Sequence, residues 1–106
     1  MGKKTTLAQS LQQFGRSLWP DYPLEAMYLF GSRATGTARR DSDVDLLLVS
    51  PKFKRQRRLR RAPPLYLRWS LDYPVDFVCL TPEEFQRKKK EIGIVQEVVK
   101  SGIKII

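Results

Sequence analysis

The most informative stretch of the chain is LFGSRATGTARRDSDVDLLLV, residues 29–49. Its apolar start belongs to a run that begins at Glu25 and is broken by Gly31-Ser32, and its end is the apolar run Val44–Val49. Short apolar runs that are rich in branched residues and bounded by glycine or polar residues are typical of buried strands. The stretch therefore predicts two strands, joined by a brief helix and a loop over residues 33–40.

Helices and a third strand are predicted around this pair. Before it, apolar residues recur at helical spacing and stop at Trp19-Pro20; they are Leu7, Leu11, Phe14 and Leu18. Val75–Leu80 is the third strand, and Thr81-Pro82-Glu83-Glu84 is typical of a helix start. That helix carries Phe85 and Ile92 on its apolar face, Gly93 bends or breaks it, and Ile103–Ile106 forms a final short strand. We expect one α/β domain over residues 1–106.

Composition excludes several classes of protein and of site. The chain has no histidine and one cysteine, Cys79, so a structural zinc site lacks ligands and an intrachain disulfide cannot form. Cys79 lies in an apolar run and is predicted to be a small core residue. The apolar runs are too short for a transmembrane helix, and the start of the chain lacks the apolar stretch of a signal peptide. A cytoplasmic protein is expected.

Carboxylates recur at the starts of two predicted strands. Residues i and i+2 of a strand point to the same face, so Asp43 and Asp45 project together, and Asp76 joins them if its strand lies alongside. Three converging carboxylates repel one another unless cations lie between them, and Mg²⁺ prefers such oxygen ligands. An Asp-x-Asp pair alone is more often a turn or cap feature. The ordered set of three favours a metal site.

The Gly31-Ser32 pair supplies a candidate site for phosphate. A glycine after a strand allows a sharp turn and a close approach of the backbone to a ligand. The following N–H groups and the Ser32 hydroxyl could hold phosphate oxygens, with Arg33 as a further source of positive charge. Carboxylates that bind metals, placed beside such a turn, predict a site for a metal-bound nucleoside triphosphate.

The motifs in residues 27–49, together with Val75-Asp76-Phe77, resemble the signature of the DNA polymerase β-type nucleotidyltransferases. Within that superfamily the chain is most similar to the small minimal nucleotidyltransferases of prokaryotes. The resemblance implies a small mixed sheet flanked by helices and nucleotidyl transfer that depends on Mg²⁺, with two ions and with ATP as substrate. By position, Gly31, Ser32 and Arg33 bind the triphosphate. The three catalytic and metal-binding residues are Asp43, Asp45 and Asp76.

The resemblance also implies a partner. Many small members of the family pair with an all-helical HEPN protein as toxin and antitoxin, and the transferase then resembles an adenylyltransferase that silences its partner. We therefore expect transfer of AMP onto a HEPN-type protein. Two alternatives remain open: transfer to a nucleic acid such as tRNA, and a non-catalytic antitoxin that acts by binding alone.

One short segment determines the sign of the net charge, which is +9. Seven of the twenty basic residues lie within residues 52–61, and no acidic residue lies among them. Such a segment predicts an acidic binding partner, either nucleic acid or the acidic face of a protein. The candidate acceptor-binding residues are Arg57, Arg58, Arg60 and Arg61. The apolar end of the chain, Ile103–Ile106, is a candidate surface for self-association or partner binding.

Overall fold

A four-stranded mixed sheet with helices on both faces forms the framework of the chain. The computed structural model describes residues 6–106, so residues 1–5 of the predicted domain lie outside the described residues. The strands are β1 (Ala26–Phe30), β2 (Val44–Val49), β3 (Val75–Leu80) and β4 (Ile103–Lys104). Their order across the sheet is β3-β2-β1-β4. Strand β1 runs antiparallel to β2 and to β4, whereas β2 and β3 are parallel. The predicted fold class and strands are confirmed.

The helices begin and end close to the predicted signals. They are α1 (Leu7–Ser17), α2 (Ser32–Thr35), α3 (Arg58–Arg61), α4 (Pro63–Tyr66), α5 (Pro82–Lys88) and α6 (Ile94–Ser101), and Pro51–Arg55 forms a 3-10 turn. Thr6 caps α1 and Thr81 caps α5, each in a reciprocal capping box with the third helical residue. None of the helices within residues 6–106 combines the length and the apolar character that a membrane span requires.

Two apolar layers enclose the sheet. On one face, α1 and the segment that contains Phe53 and Leu65 pack against alternate residues of the strands. On the other face, α5 and α6 pack against the intervening strand residues, with Phe85, Val95 and Val98 buried among them. Because both faces are covered, β2 is buried along nearly its whole length, and Asp45 is its one polar side chain.

The basic segment folds into short turns rather than one helix. Pro63 begins α4 at a position where its missing N–H costs no hydrogen bond, and it separates α4 from α3. Tyr66 and Trp69 pack their rings edge-on against Phe77, as expected of core-facing aromatic residues. This packing holds the end of the segment against β3.

Arg61 anchors the basic segment to the sheet. Its side chain is buried, with 5% of the residue exposed. Its guanidinium donates to Glu84 Oε1 at 2.6 Å and to Oε2 at 3.3 Å, and it also donates to the carbonyls of Gln56 and Cys79, each at 3.0 Å. All three nitrogens of the guanidinium therefore donate to an acceptor, which is the condition under which a buried cation is tolerated.

Two predicted apolar features lie elsewhere than expected. Ile92 falls in the connection between α5 and α6 and is 97% exposed, because α5 ends at Lys88 before the apolar face continues. Most of the apolar end of the chain packs against the rest of the molecule and is not free for a partner. Ile105 is buried and donates its N–H to the carbonyl of Met27, and Ile106 packs on Gly15. Ile103 is the exposed apolar member of this end.

Cys79 is a core residue, as predicted. The residue is 8% exposed on β3. Burial raises the pKa of its thiol to about 12, and the nearby charge of Arg61 offsets this only in part. The thiol therefore packs as a small apolar group and is not a nucleophile at neutral pH.

The ion pair between Arg61 and Glu84 is expected to dominate the acid sensitivity of the fold. Partial burial by itself raises the pKa of Glu84, but hydrogen bonds from Arg61 and Thr81 outweigh it and lower the pKa from 4.5 to about 2. Glu84→Gln keeps the capping box and removes the charge, leaving Arg61 buried without a counterion. We expect a loss of about 3 kcal/mol in the free energy of unfolding at pH 7, measured by urea denaturation.

The neighbouring Glu83 provides the matched control. Its ion pair with Lys54 is exposed on both sides, so Glu83→Gln should cost less than about 0.5 kcal/mol. Because the pKa of Glu84 is lowered by folding, its contribution is present above pH 4.5 and is lost as the pH falls toward 2. The difference between wild type and Glu84→Gln should shrink over that range. A difference that stays constant with pH would contradict the assignment.

Candidate functional site

Three strands bring the predicted site residues into a row. The register pairs Phe30 of β1 with Asp45 of β2, and Asp45 with Asp76 of β3. Gly31 follows Phe30 directly, so the turn after β1 lies beside the first residues of β2. The antiparallel β1–β2 pair and the parallel β2–β3 pair therefore place the glycine turn and both strand carboxylates at the same end of the three strands. This end is called the carboxylate edge below.

The carboxylates lie on the face of the sheet that α5 and α6 cover. Asp45 alternates with Val44 and Leu46, which belong to the opposite layer, and precedes Leu47 of the α5–α6 layer. Asp45 is half-buried, whereas Asp43 and Asp76 are exposed. Burial raises the pKa of Asp45, and repulsion from Asp76 and then from Asp43 raises it further. Asp43 and Asp76 thus lie near enough to Asp45 for their charges to act on it.

The donor set matches a hard divalent cation. It consists of carboxylate oxygens, which are the ligands that Mg²⁺ prefers, without the nitrogen or sulfur that zinc favours. Within residues 6–106, no three acidic, cysteine or histidine side chains converge closely enough to form a ready-made metal site. Neighbouring carboxylates repel one another, which favours such a spread arrangement. Asp43, Asp45 and Asp76 are the residues that could hold metal at this edge.

Gly31 touches the carboxylate of Asp45. Its backbone has φ +74°, a region that favours glycine. A Cβ added to Gly31 would collide with Asp45 Oδ2, and the next carboxylate atom, Cγ, lies 3.3 Å from that position. Two independent constraints, a backbone angle and a contact, therefore require glycine here. The turn and the carboxylate form one local structure.

The first residues of α2 have free backbone donors. The N–H groups of Ala34 and Thr35 donate to the carbonyl of Gly31 at 3.0 and 3.2 Å. Those of Ser32 and Arg33 have no backbone acceptor in the part of the chain that the structure describes. Two adjacent N–H groups and the Ser32 hydroxyl are chemically suited to hold phosphate oxygens beside the carboxylates.

The side chain of Arg33 fastens the loop before β2. Its guanidinium donates to the carbonyl of Ser42 at 2.8 and 3.1 Å, and to the carbonyls of Arg39 and Arg40 at 3.4 and 3.3 Å. It also lies 4.6 Å from the ring centroid of Tyr73. These contacts fix the loop that leads into Asp43. A contact with triphosphate remains a prediction for this residue, because its donors already have acceptors here.

Ser42 and Tyr73 support the site and were not predicted from the sequence. The Ser42 hydroxyl accepts from the N–H of Arg39 at 2.7 Å, and Tyr73 lies under the guanidinium of Arg33. Ser42 stands beside the aspartates, and its turn role could have been inferred from Asp41-Ser42. Nothing in the sequence connects Tyr73 with Arg33, since forty residues separate them.

A cleft of about 230 Å³ opens next to Gly31. Phe30, Gly31 and Thr35 line one side of the cleft, and residues of α6 line the other: Ile94, Glu97, Val98 and Ser101. Its lining is mostly apolar, and its polar side chains are those of Thr35, Glu97 and Ser101. The cleft therefore gives the carboxylate edge an adjoining space bounded by α2 and α6.

The four candidate acceptor-binding arginines do not share one environment. Arg57, Arg58 and Arg60 are exposed, and none of them forms an ion pair with any of the described residues. Arg61 is buried against Glu84 and is not part of that surface. The sequence does not show which arginine of the run is buried, because each of them carries the same charge.

Comparisons with known proteins agree with the fold. The structure resembles a crystal structure of a Sulfolobus solfataricus protein ascribed to the nucleotidyltransferases, with a TM-score of 0.60 and 26% identity over 82% of this chain and 84% of that chain. It also resembles a crystal structure of a toxin–antitoxin complex with AMP-PNP, with a TM-score of 0.61 and 25% identity over 95% of this chain and 73% of that chain. No match is found among curated protein sequences.

A family model described as the nucleotidyltransferase domain matches residues 9–102, which include the Gly31-Ser32 turn and all three aspartates. The match covers most of the chain. The chain therefore belongs to the nucleotidyltransferase domain family.

Proposed function

We propose that the protein transfers AMP from ATP to an acceptor protein in a reaction that depends on Mg²⁺, and that the acceptor is a HEPN-type toxin that the transfer neutralises in the cytoplasm. Membership of the nucleotidyltransferase family supports the reaction class. The likeness to a toxin–antitoxin structure with AMP-PNP supports an adenine nucleotide and a protein partner.

The observation that carries the proposal is the contact between Gly31 and the carboxylate of Asp45. It joins a turn with free N–H donors to the aspartate on which the charges of Asp76 and Asp43 act. The first suits phosphate, and the second suits a divalent cation. A metal-bound triphosphate needs phosphate-binding and metal-binding groups side by side. The register, which pairs Phe30 with Asp45 and Asp45 with Asp76, supports such an arrangement.

Each group then has a chemical task. The N–H groups of Ser32 and Arg33 hold phosphate oxygens, and Asp43, Asp45 and Asp76 would hold Mg²⁺, which when bound polarises the phosphoryl oxygens and stabilises the departing pyrophosphate. The acceptor oxygen forms a bond to the α-phosphorus, and the bond from that phosphorus to the bridging oxygen of the pyrophosphate breaks. The acceptor's proton passes to the carboxylate of Asp76 and from there to water.

A nucleic-acid acceptor is the second candidate. Three exposed arginines without an ion-pair partner in residues 6–106 favour it, because clustered arginines are sufficient to bind phosphates: Arg57, Arg58 and Arg60. A non-catalytic antitoxin is the third candidate, and it leaves the exposed carboxylates without a task.

Replacing the carboxylates should separate activity from stability. Asp45→Asn and Asp76→Asn should lower transfer by at least about 100-fold, since a neutral amide cannot replace a charged metal ligand. Because burial and repulsion raise the pKa of Asp45, removing its charge should not lower the free energy of unfolding at pH 7. Single-turnover assays and urea denaturation measure the two effects. Asp41→Asn, in the loop that precedes β2, is the control that should retain activity.

Gly31→Ala should lose activity for a steric reason that Gly36→Ala does not share. Both glycines have positive φ, +74° and +81°, so both variants incur a similar backbone cost of about 1 kcal/mol. A Cβ at Gly36 meets nothing within 4 Å, whereas a Cβ at Gly31 displaces the Asp45 carboxylate. We expect a loss of transfer of about 100-fold for Gly31→Ala and about twofold or less for Gly36→Ala. Equal losses would contradict the role of the contact.

The acceptor class can be identified by labelling. The protein is incubated with ATP labelled at the α-phosphate, Mg²⁺ and an extract of the source cell, and Asp45→Asn serves as the inactive comparison. A labelled band that appears only with wild type and is removed by protease supports a protein acceptor. Removal by nuclease instead supports the second candidate. Absence of a band in an extract shown to contain the partner favours binding alone.

A further inference from the structure

The outer edge of β3 has backbone groups available for pairing. Strand β3 lies at the end of the sheet, and β2 is the one strand within residues 6–106 that pairs with it. The carbonyls of Pro74 and Leu80 accept from β2 or from the residue after it, at 2.8 and 3.0 Å. Because the backbone N–H and C=O groups of successive residues point to opposite sides of a strand, those of every second residue point away from β2. These residues are Val75, Phe77 and Cys79. Arg61 occupies the carbonyl of Cys79, whereas the outward N–H and C=O groups of Val75 and Phe77 have no hydrogen-bond partner among the described residues.

A groove with apolar walls and a basic rim adjoins this edge. Arg58 lines one cleft with residues 77–80 along the edge, and a second cleft of about 180 Å³ between β3 and the α5–α6 connection. Val78 and Leu80 form its floor, and the highly exposed Ile92 forms part of its wall. Among the described residues, Arg58 has no ion-pair partner, whereas the one acid of the rim, Glu91, is paired with Arg87.

We propose that this edge is a docking strand for a partner protein: an extended segment of alternating acidic and apolar residues pairs with the backbone of Val75 and Phe77. Its apolar side chains enter the groove over Val78 and Leu80, and its acidic side chains contact Arg58 and the neighbouring exposed arginines. Main-chain hydrogen bonds supply affinity in such strand addition, and the pockets supply specificity.

The charge of the surface selects this occupant. A second copy of the chain would bring the basic rims of two β3 edges together, which like-charge repulsion opposes. A nucleic acid could neutralise the arginines, but it has no backbone amides to pair with a strand edge and no acyclic apolar side chains for the groove. An acidic, apolar polypeptide satisfies the hydrogen bonds, the apolar walls and the charges together.

The location of the edge deepens the proposed function and rests on it. Asp76 lies on β3 between Val75 and Phe77, and its side chain points to the face that carries the other carboxylates. Neighbouring strands lie about 5 Å apart, so a residue of the added strand opposite Asp76 would project beside it. A hydroxyl side chain at that position would be presented to the carboxylate edge by the docking itself.

The test uses the whole protein and a synthetic ten-residue peptide of alternating glutamate and valine with one central tyrosine. Hydrogen exchange of the Val75 and Phe77 amides is followed by NMR, and affinity by fluorescence anisotropy, without nucleotide. The peptide should slow exchange at both amides by about tenfold, whereas a lysine–valine peptide and a single-stranded RNA ten-mer should not. Arg58→Glu should weaken binding by about tenfold, and Arg16→Glu, an exposed change on α1, by about twofold or less.

A second pair of variants tests the apolar wall. Ile92→Asp should weaken binding by about tenfold, whereas Leu67→Asp should not, although Leu67 is also 90% exposed. Absence of amide protection, equal effects of the matched variants, protection by RNA, or a dimer in sedimentation that uses this edge would overturn the docking strand. The same measurement on Asp45→Asn separates the two proposals: unchanged peptide binding supports docking even if no transfer activity is ever found.

Discussion

Strand β2 is hydrogen-bonded to β1 on one side and to β3 on the other, and its register against both determines where the polar groups of this protein lie. A slip of one residue would turn Asp45 into the layer beneath α1 and would turn Val44 and Leu46 out of it. The cost of burying a carboxylate without a partner makes that alternative strongly unfavourable. The packing of the six residues of β2 between two covered faces therefore also fixes the position of Asp45.

The sequence predicts this part of the molecule well because the same pattern encodes both structure and site. Apolar runs mark β1, β2 and β3, and the aspartates stand at fixed positions in them, so correct strands imply correct neighbours. The capping box at Thr81 was predictable for the same reason, since its signal is local. Ile92 was misassigned because helical spacing continued past the point where α5 ends at Lys88.

Contacts between residues that are far apart in the sequence could not be predicted in this way, because no local pattern marks either residue for the other. The burial of Arg61 depends on Glu84, whose sequence context already explained it as a capping residue. The contacts of Arg33 with loop carbonyls and with the ring of Tyr73 had no signal in the sequence, and its predicted contact with phosphate stays a prediction. In both cases one arginine among several is selected by three-dimensional proximity. The consequence for the basic segment is that one cation holds the scaffold on which Arg57, Arg58 and Arg60 are displayed.

The burial of the single cysteine makes the reactivity of its thiol depend on the integrity of the sheet. With a thiol pKa of about 12 and 8% exposure, Cys79 carries almost no thiolate at neutral pH, so while β3 is in place it lacks the nucleophile that attacks oxidants and disulfides. Reaction of that sulfur becomes kinetically tied to departure of the strand from the sheet. Because Asp76 lies on the same strand, the rate of thiol modification reports how often the carboxylate edge comes apart, in a molecule that needs no added label.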